Sequence, residues 1–109
     1  KHFPIACALD ARDLSARQAE LREGILARAH AVERINDGYR WRFTDEPGLV
    51  AHLGALIDAE RRCCAFLQFQ VLAEPGAGSV TLDVSGPPGT PEFLESWIPA
   101  DSVRSLFIF

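Results

Sequence analysis

The stretch GYRWRFTDEPGLVAHLGALIDAERRCC, residues 38–64, changes its hydrophobic period partway along and thereby decides the fold. Its first part alternates strictly, with three aromatic residues on one face and two arginines on the other, which is typical of a half-buried strand. After the turn residues of TDEPG the apolar residues recur at helical spacing, which predicts a second helix over about residues 47–64. The stripe of that helix consists of Leu49, Leu53, Leu56, Ile57 and Cys64.

The segment before this stretch predicts one strand and one long helix. FPIACAL, residues 3–9, alternates and predicts a short strand with Cys7 facing inward. Residues 12–35 predict a first helix, because four apolar residues recur there at helical spacing. NDG, residues 36–38, is expected to end that helix. The apolar residues of the first helix are Leu14, Leu21, Ile25 and Val32.

The segment after the stretch predicts a hairpin and a short helix. FLQFQVL and SVTLDVS alternate as two strands around the turn-rich AEPGAGS. GPPGT then forms a turn, and Thr90 is expected to cap a third helix with Pro91 at its first position. The inward residues expected in this segment are Leu67, Phe69, Val71, Val80, Leu82, Val84, Phe93, Leu94 and Trp97.

The resulting order, β-α-β-α-β-β-α, predicts the α+β class. Every strand is apolar on one face only, which favours a mostly antiparallel sheet with helices packed on one face. We expect one domain over residues 1–109, with a core at about 3–98 and an apolar tail at 99–109. Three explanations stay open for the apolar character of the run SVRSLFIF in that tail. It docks on the domain, it pairs with a second copy of the chain in a homodimer, or it is an artefact of where the chain was cut.

Composition excludes two classes of partner. The net charge of −4 offers no basic surface for nucleic acid, and no apolar run approaches the ~20 residues of a membrane helix.

The chain begins at Lys1 and contains no Met, so we expect a trimmed protein or a domain of a longer one. Three cysteines, two of them adjacent, do not suit a disulfide framework, which favours reduced thiols in the cytoplasm.

The end of the second helix carries a carboxylate and two thiols in one sector. Glu60, Cys63 and Cys64 are spaced i, i+3 and i+4, so they continue the apolar stripe. A buried glutamate needs a partner because desolvating its charge is costly, so an arginine, a thiol or a cation should hold it. His2, His30 and His52 are interpreted as surface residues outside this site.

The cysteines have a structural and a functional interpretation. Buried free cysteine often serves as a small hydrophobe, and packing explains Cys7 taken alone. Two adjacent thiols are a redox liability that packing does not require, and Cys7 adds a third inward thiol. Structural zinc prefers four ligands at a spacing this chain lacks, whereas three thiols suit Hg(II) or As(III). We therefore predict a soft-ion site of Cys7, Cys63, Cys64 and Glu60, with zinc as a further candidate ion.

The order PIAC-x-L, DGY-x-x-x-F, ER-x-CC-x-F and GPPG-x-x-x-FL resembles a group of small bacterial proteins with a Glu-Arg-x-Cys-Cys-Pro-Phe signature. That group is associated with mercury resistance and with metal-responsive regulators, so the resemblance implies handling of soft metals. It spans about residues 4–97, and it departs at Ala65, where the group has proline. The matching residues are Cys7, Gly38, Tyr39, Phe43, Glu60, Arg61, Cys63, Cys64, Phe66, Gly86, Pro87 and Gly89.

The sequence thus predicts a domain that binds or senses a soft metal or metalloid ion, either as an accessory protein or as part of a longer regulator. Three alternatives stay open. One is an enzyme that cleaves an organometal, with Glu60 as the candidate catalytic proton donor. Another is a redox protein in which Cys63 and Cys64 cycle with Cys7. The last is an interaction module whose cysteines are structural.

Overall fold

A four-stranded antiparallel sheet forms the centre of the fold. The structure is a computed structural model that describes residues 11–76 and 78–99. Its strands are β1 (Ala31–Ile35), β2 (Gly38–Thr44), β3 (Gln68–Ala73) and β4 (Ser79–Ser85), in the spatial order β1-β2-β4-β3. Its helices are α1 (Ala11–Glu23), α2 (Leu49–Cys63) and α3 (Thr90–Leu94), with 3-10 turns at Ile25–Arg28 and Glu95–Trp97. The predicted α+β class and antiparallel sheet are confirmed.

The alternation along the strands places the core on one face of the sheet. Trp41 on β2 is directly opposite Leu82 on β4, and both side chains are completely buried. The helices contribute Leu21, Leu53 and Trp97 to the same core, and the rings of Trp41 and Trp97 are 6.3 Å apart. The opposite face is polar, with Arg40 donating to both carboxylate oxygens of Asp83. The expectation of helices on the apolar face agrees with this arrangement.

The first predicted helix is wrong in its length. Helix α1 ends at Glu23, and residues 31–35 form the edge strand β1, which pairs with β2. Asn36 and Asp37 therefore form a hairpin turn rather than a helix stop. Gly38 is the first residue of β2. A side chain does not fit there, because a Cβ would lie 1.8 Å from the carbonyl oxygen of Val84. Close approach of two strands explains this glycine, and no helix cap is involved.

The second helix and the hairpin follow the prediction closely, and the third helix differs by one residue. Helix α2 ends at Cys63 without the proline that the resembled signature carries at position 65. At α3, Gly89 occupies the cap position with φ 99°, and Thr90 is the first helical residue rather than the cap. The Thr90 hydroxyl instead donates to the carbonyl of Pro87 at 2.7 Å, which holds the preceding turn.

Two sequence-based predictions lie outside the described residues. The strand with Cys7 at residues 3–9 and the apolar tail belong to the two chain ends beyond residues 11 and 99. Among the helices of the described part, none combines the length and hydropathy that a bilayer crossing requires.

Candidate metal and thiol site

The end of α2 carries the cluster of chemical groups that the sequence predicts. One ligand atom each from Glu60, Cys63 and Cys64 lies within 4.8 Å of the others, so the three side chains could hold a metal ion. They meet because α2 places residues three and four positions apart on one face. We call these three residues the thiol–carboxylate cluster.

Glu60 is the carboxylate of the cluster and is almost completely buried. Only 1% of its surface is exposed, and it lies on the stripe that packs against the sheet. Arg17 of α1 donates from Nε to Glu60 Oε2 at 2.5 Å, which compensates the buried carboxylate. The prediction that an arginine or a thiol should hold this glutamate is confirmed, because both do. Arg17 itself was not predicted, since it lies 43 positions away along the chain.

Cys63 lies between the carboxylate and the second sulfur. Its Sγ donates to Glu60 Oε1 at 3.8 Å and lies 3.7 Å from Cys64 Sγ. Burial raises the pKa of the Cys63 thiol and the Glu60 charge raises it further, while Arg17 lowers it in part. Cys63 carries a free thiol and is only partly buried, so it is the sulfur of the cluster nearer to solvent.

Cys64 differs from its neighbour in both exposure and bonding. It follows the last residue of α2, and only 1% of its surface is exposed. It is disulfide-bonded, whereas Cys63 carries a free thiol. The expectation of reduced thiols is therefore wrong for Cys64 in this state. A sulfur in a disulfide is no thiolate, so the ligand set of the cluster is complete only after reduction.

Arg17 also connects the cluster to a groove between α1 and α2. This groove encloses about 340 Å³ and is lined in part by Arg17, Leu21, Ile25, His52 and Leu56. His52 is exposed there, one of the histidines that the sequence assigns to the surface. His30 is likewise exposed, whereas His2 lies outside the described residues. Neither described histidine belongs to the thiol–carboxylate cluster.

Several residues of the resembled signature meet at one end of the sheet beside the cluster. The amide of Gly86 donates to the carbonyl of Asp37 at 3.1 Å, which joins the turn before β2 to the turn after β4. A Cβ at Gly86 would lie 2.9 Å from the carbonyl oxygen of Phe66, two residues after Cys64. Phe66 packs edge-to-face on Phe93, with ring centroids 5.1 Å apart. These glycine and aromatic positions thus have a packing reason of their own.

Of the predicted site residues, the structure brings Glu60, Cys63 and Cys64 together, while Cys7 lies outside the described residues. Its membership of the site stays a prediction. No protein-family model, no curated protein and no solved structure matches the chain.

Proposed function

We propose that the reduced protein binds a thiophilic metal or metalloid ion, of the Hg(II) or As(III) kind, through Cys63 and Cys64. The observation that carries this proposal is the thiol–carboxylate cluster, whose ligand atoms lie within 4.8 Å of one another. Thiolates select soft ions, whereas Mg(II) and Ca(II) require oxygen cages that one carboxylate does not supply.

Cys7 is proposed as the third sulfur of the site. The chain has three cysteines, and three thiolates suit a soft ion that prefers three ligands. A group of this size gives zinc fewer ligands than its structural sites use, so zinc is the weaker candidate. The association with mercury resistance, which the signature suggests, agrees in its chemistry with this assignment and stays part of the proposal.

Glu60 is proposed to tune the site rather than to act as a strong ligand. Oε2 already accepts from Arg17, which leaves Oε1 facing Cys63. A carboxylate is a hard ligand for a soft ion, and its negative charge disfavours a thiolate at Cys63, an effect that Arg17 offsets in part. Binding or sensing of the ion is therefore favoured over cleavage of an organometal, for which Glu60 would have to donate a proton.

Calorimetric titration of the reduced protein in the absence of oxygen tests this function. We expect tight binding of Hg(II) and As(III) and no binding of Mg(II) or Ca(II) by the parent. The double variant Cys63→Ser/Cys64→Ser should lose most of the soft-ion affinity. Circular dichroism of the same variant controls for folding. Equal affinity in parent and folded double variant would mean that the cluster is not the ligand set.

A further inference from the structure

The two adjacent sulfurs differ in a way that suggests an activity besides ion binding. Cys63 carries a free thiol and is partly exposed, whereas Cys64 is disulfide-bonded and 1% exposed. The two Sγ atoms lie 3.7 Å apart, which is van der Waals contact for sulfur. A thiol from solvent therefore meets Cys63 first, and Cys63 already touches the buried disulfide.

We propose that Cys63 relays thiol–disulfide exchange between a small thiol in solution and the buried Cys64 disulfide. In the first step the Cys63 thiolate attacks Cys64 Sγ. A Cys63–Cys64 bond forms, the existing bond of Cys64 breaks, and its partner sulfur leaves as a thiolate. That thiolate takes up one proton from solvent for the one that Cys63 has released. The step is an isomerisation and needs no oxidant.

The second step uses a low-molecular-weight thiol as the reductant. A disulfide between adjacent cysteines closes a strained ring, which makes it more readily reduced than an ordinary disulfide. The external thiolate attacks the more exposed sulfur, Cys63, and Cys64 leaves as a thiolate. A second external thiol then displaces Cys63 and forms the external disulfide. In sum, two external thiols are oxidised to one disulfide, and one protein disulfide is reduced to two thiols.

The relay does not depend on the proposed metal function, since every step takes place without an ion. It does explain how a sulfur with 1% exposure becomes accessible without unfolding of the helix end that carries it. Direct attack by an external thiol on Cys64 would require such an opening, because exchange rates depend on access to the attacked sulfur.

The rate at which glutathione reduces the Cys64 disulfide, measured without metal, tests the relay. In Cys63→Ser and Cys63→Ala the rate should fall on the order of tenfold or more, because the buried sulfur loses its contact thiol. In concentrated urea the parent and both variants should react alike, because unfolding exposes every sulfur equally. An equal or faster rate in the folded variants would overturn the proposal.

Trapping of the intermediate gives a second measurement that does not depend on variant stability. Parent protein quenched with acid during reduction should carry glutathione on Cys63, as mapped by peptide mass spectrometry. Glutathione found on Cys64, or only on the other half of its disulfide, would overturn the proposal as well.

Discussion

Arg17 Nε lies 2.5 Å from Glu60 Oε2, and this ion pair connects α1 to the end of α2 where the thiols lie. The other carboxylate oxygen accepts from Cys63. One buried carboxylate therefore has two partners: Arg17, which joins α1 to α2, and the reactive thiol of Cys63. The stability of the helix pair and the reactivity of the thiol are linked through this one side chain.

Arg17→Ala should destabilise the protein by about 3 kcal/mol, because it leaves a buried carboxylate without its cation. Urea denaturation at neutral pH, followed by circular dichroism, measures the free energy of unfolding.

Arg12→Ala is the matched control for this prediction. Arg12 lies on the same helix and is exposed, so its loss should change the free energy of unfolding by less than about 0.5 kcal/mol. If Arg17→Ala and Arg12→Ala have the same small effect, the ion pair contributes nothing that solvent does not replace.

The alkylation rate of Cys63 reports the charge of its neighbour. Burial and the Glu60 carboxylate raise the pKa of this thiol, so less thiolate is present near neutral pH and alkylation should be slower than for a free cysteine. The rate should increase as pH rises. Glu60→Gln removes the neighbouring negative charge, which should lower the pKa and increase the rate near neutral pH several-fold.

Iodoacetamide kinetics across a pH series, followed by mass spectrometry, measure this profile. Glu20→Gln is the control, because Glu20 lies 3.8 Å from Arg17 on the exposed side and does not contact Cys63. A profile that shifts as much in the control as in Glu60→Gln would contradict a specific effect of Glu60.

The oxidation state should decide whether As(III) binds. The disulfide removes Cys64 from the ligand set and leaves Cys63 as the free thiol of the cluster. Loss of a chelating sulfur lowers affinity by about 10²-fold or more, since the remaining contact no longer benefits from effective concentration. Native mass spectrometry of oxidised and reduced protein should show arsenic on the reduced form, and renewed reduction should restore binding. Equal occupancy in both forms would contradict this prediction.

Gly86 should be intolerant of a side chain because Phe66 and Thr90 lie too close to it. A Cβ there would lie 2.9 Å from the Phe66 carbonyl oxygen and 2.6 Å from Thr90 Oγ1. Gly86→Ala should therefore cost about 1–3 kcal/mol of unfolding free energy. Gly54→Ala on α2 is the control, since nothing lies within 4 Å and the helix should gain about 0.5–1 kcal/mol. Thermal melts showing the two changes with the same sign would contradict this account of Gly86.

Strict alternation and helical spacing made β2, α2 and β4 predictable, because each buries a full face or stripe. The spacing misled at Ile25 and Val32, whose separation of seven also fits a helix, although Val32 belongs to an edge strand. Gly24 follows the last residue of α1 and marks the break in that pattern. Short edge strands bury few side chains and leave a weak pattern in sequence.

In the site, local spacing on one helix made Glu60, Cys63 and Cys64 predictable as one cluster, because i, i+3 and i+4 share a face whatever the tertiary fold. Arg17 could not be identified in this way, since its contact with Glu60 depends on how α1 packs on α2. The different oxidation of the two cysteines likewise depends on tertiary packing, which gives Cys63 and Cys64 different neighbours and different exposure.

The central claim, that the thiols of the cluster bind a soft ion, is tested most directly by X-ray absorption spectroscopy of the reduced protein loaded with one equivalent of Hg(II). We expect a first shell of sulfur from Cys63 and Cys64, enlarged by one sulfur if Cys7 is a ligand. Cys7→Ser should then remove that one sulfur and leave the others. A first shell of oxygen or nitrogen in the parent, or the same sulfur shell in Cys63→Ser/Cys64→Ser, would contradict the claim.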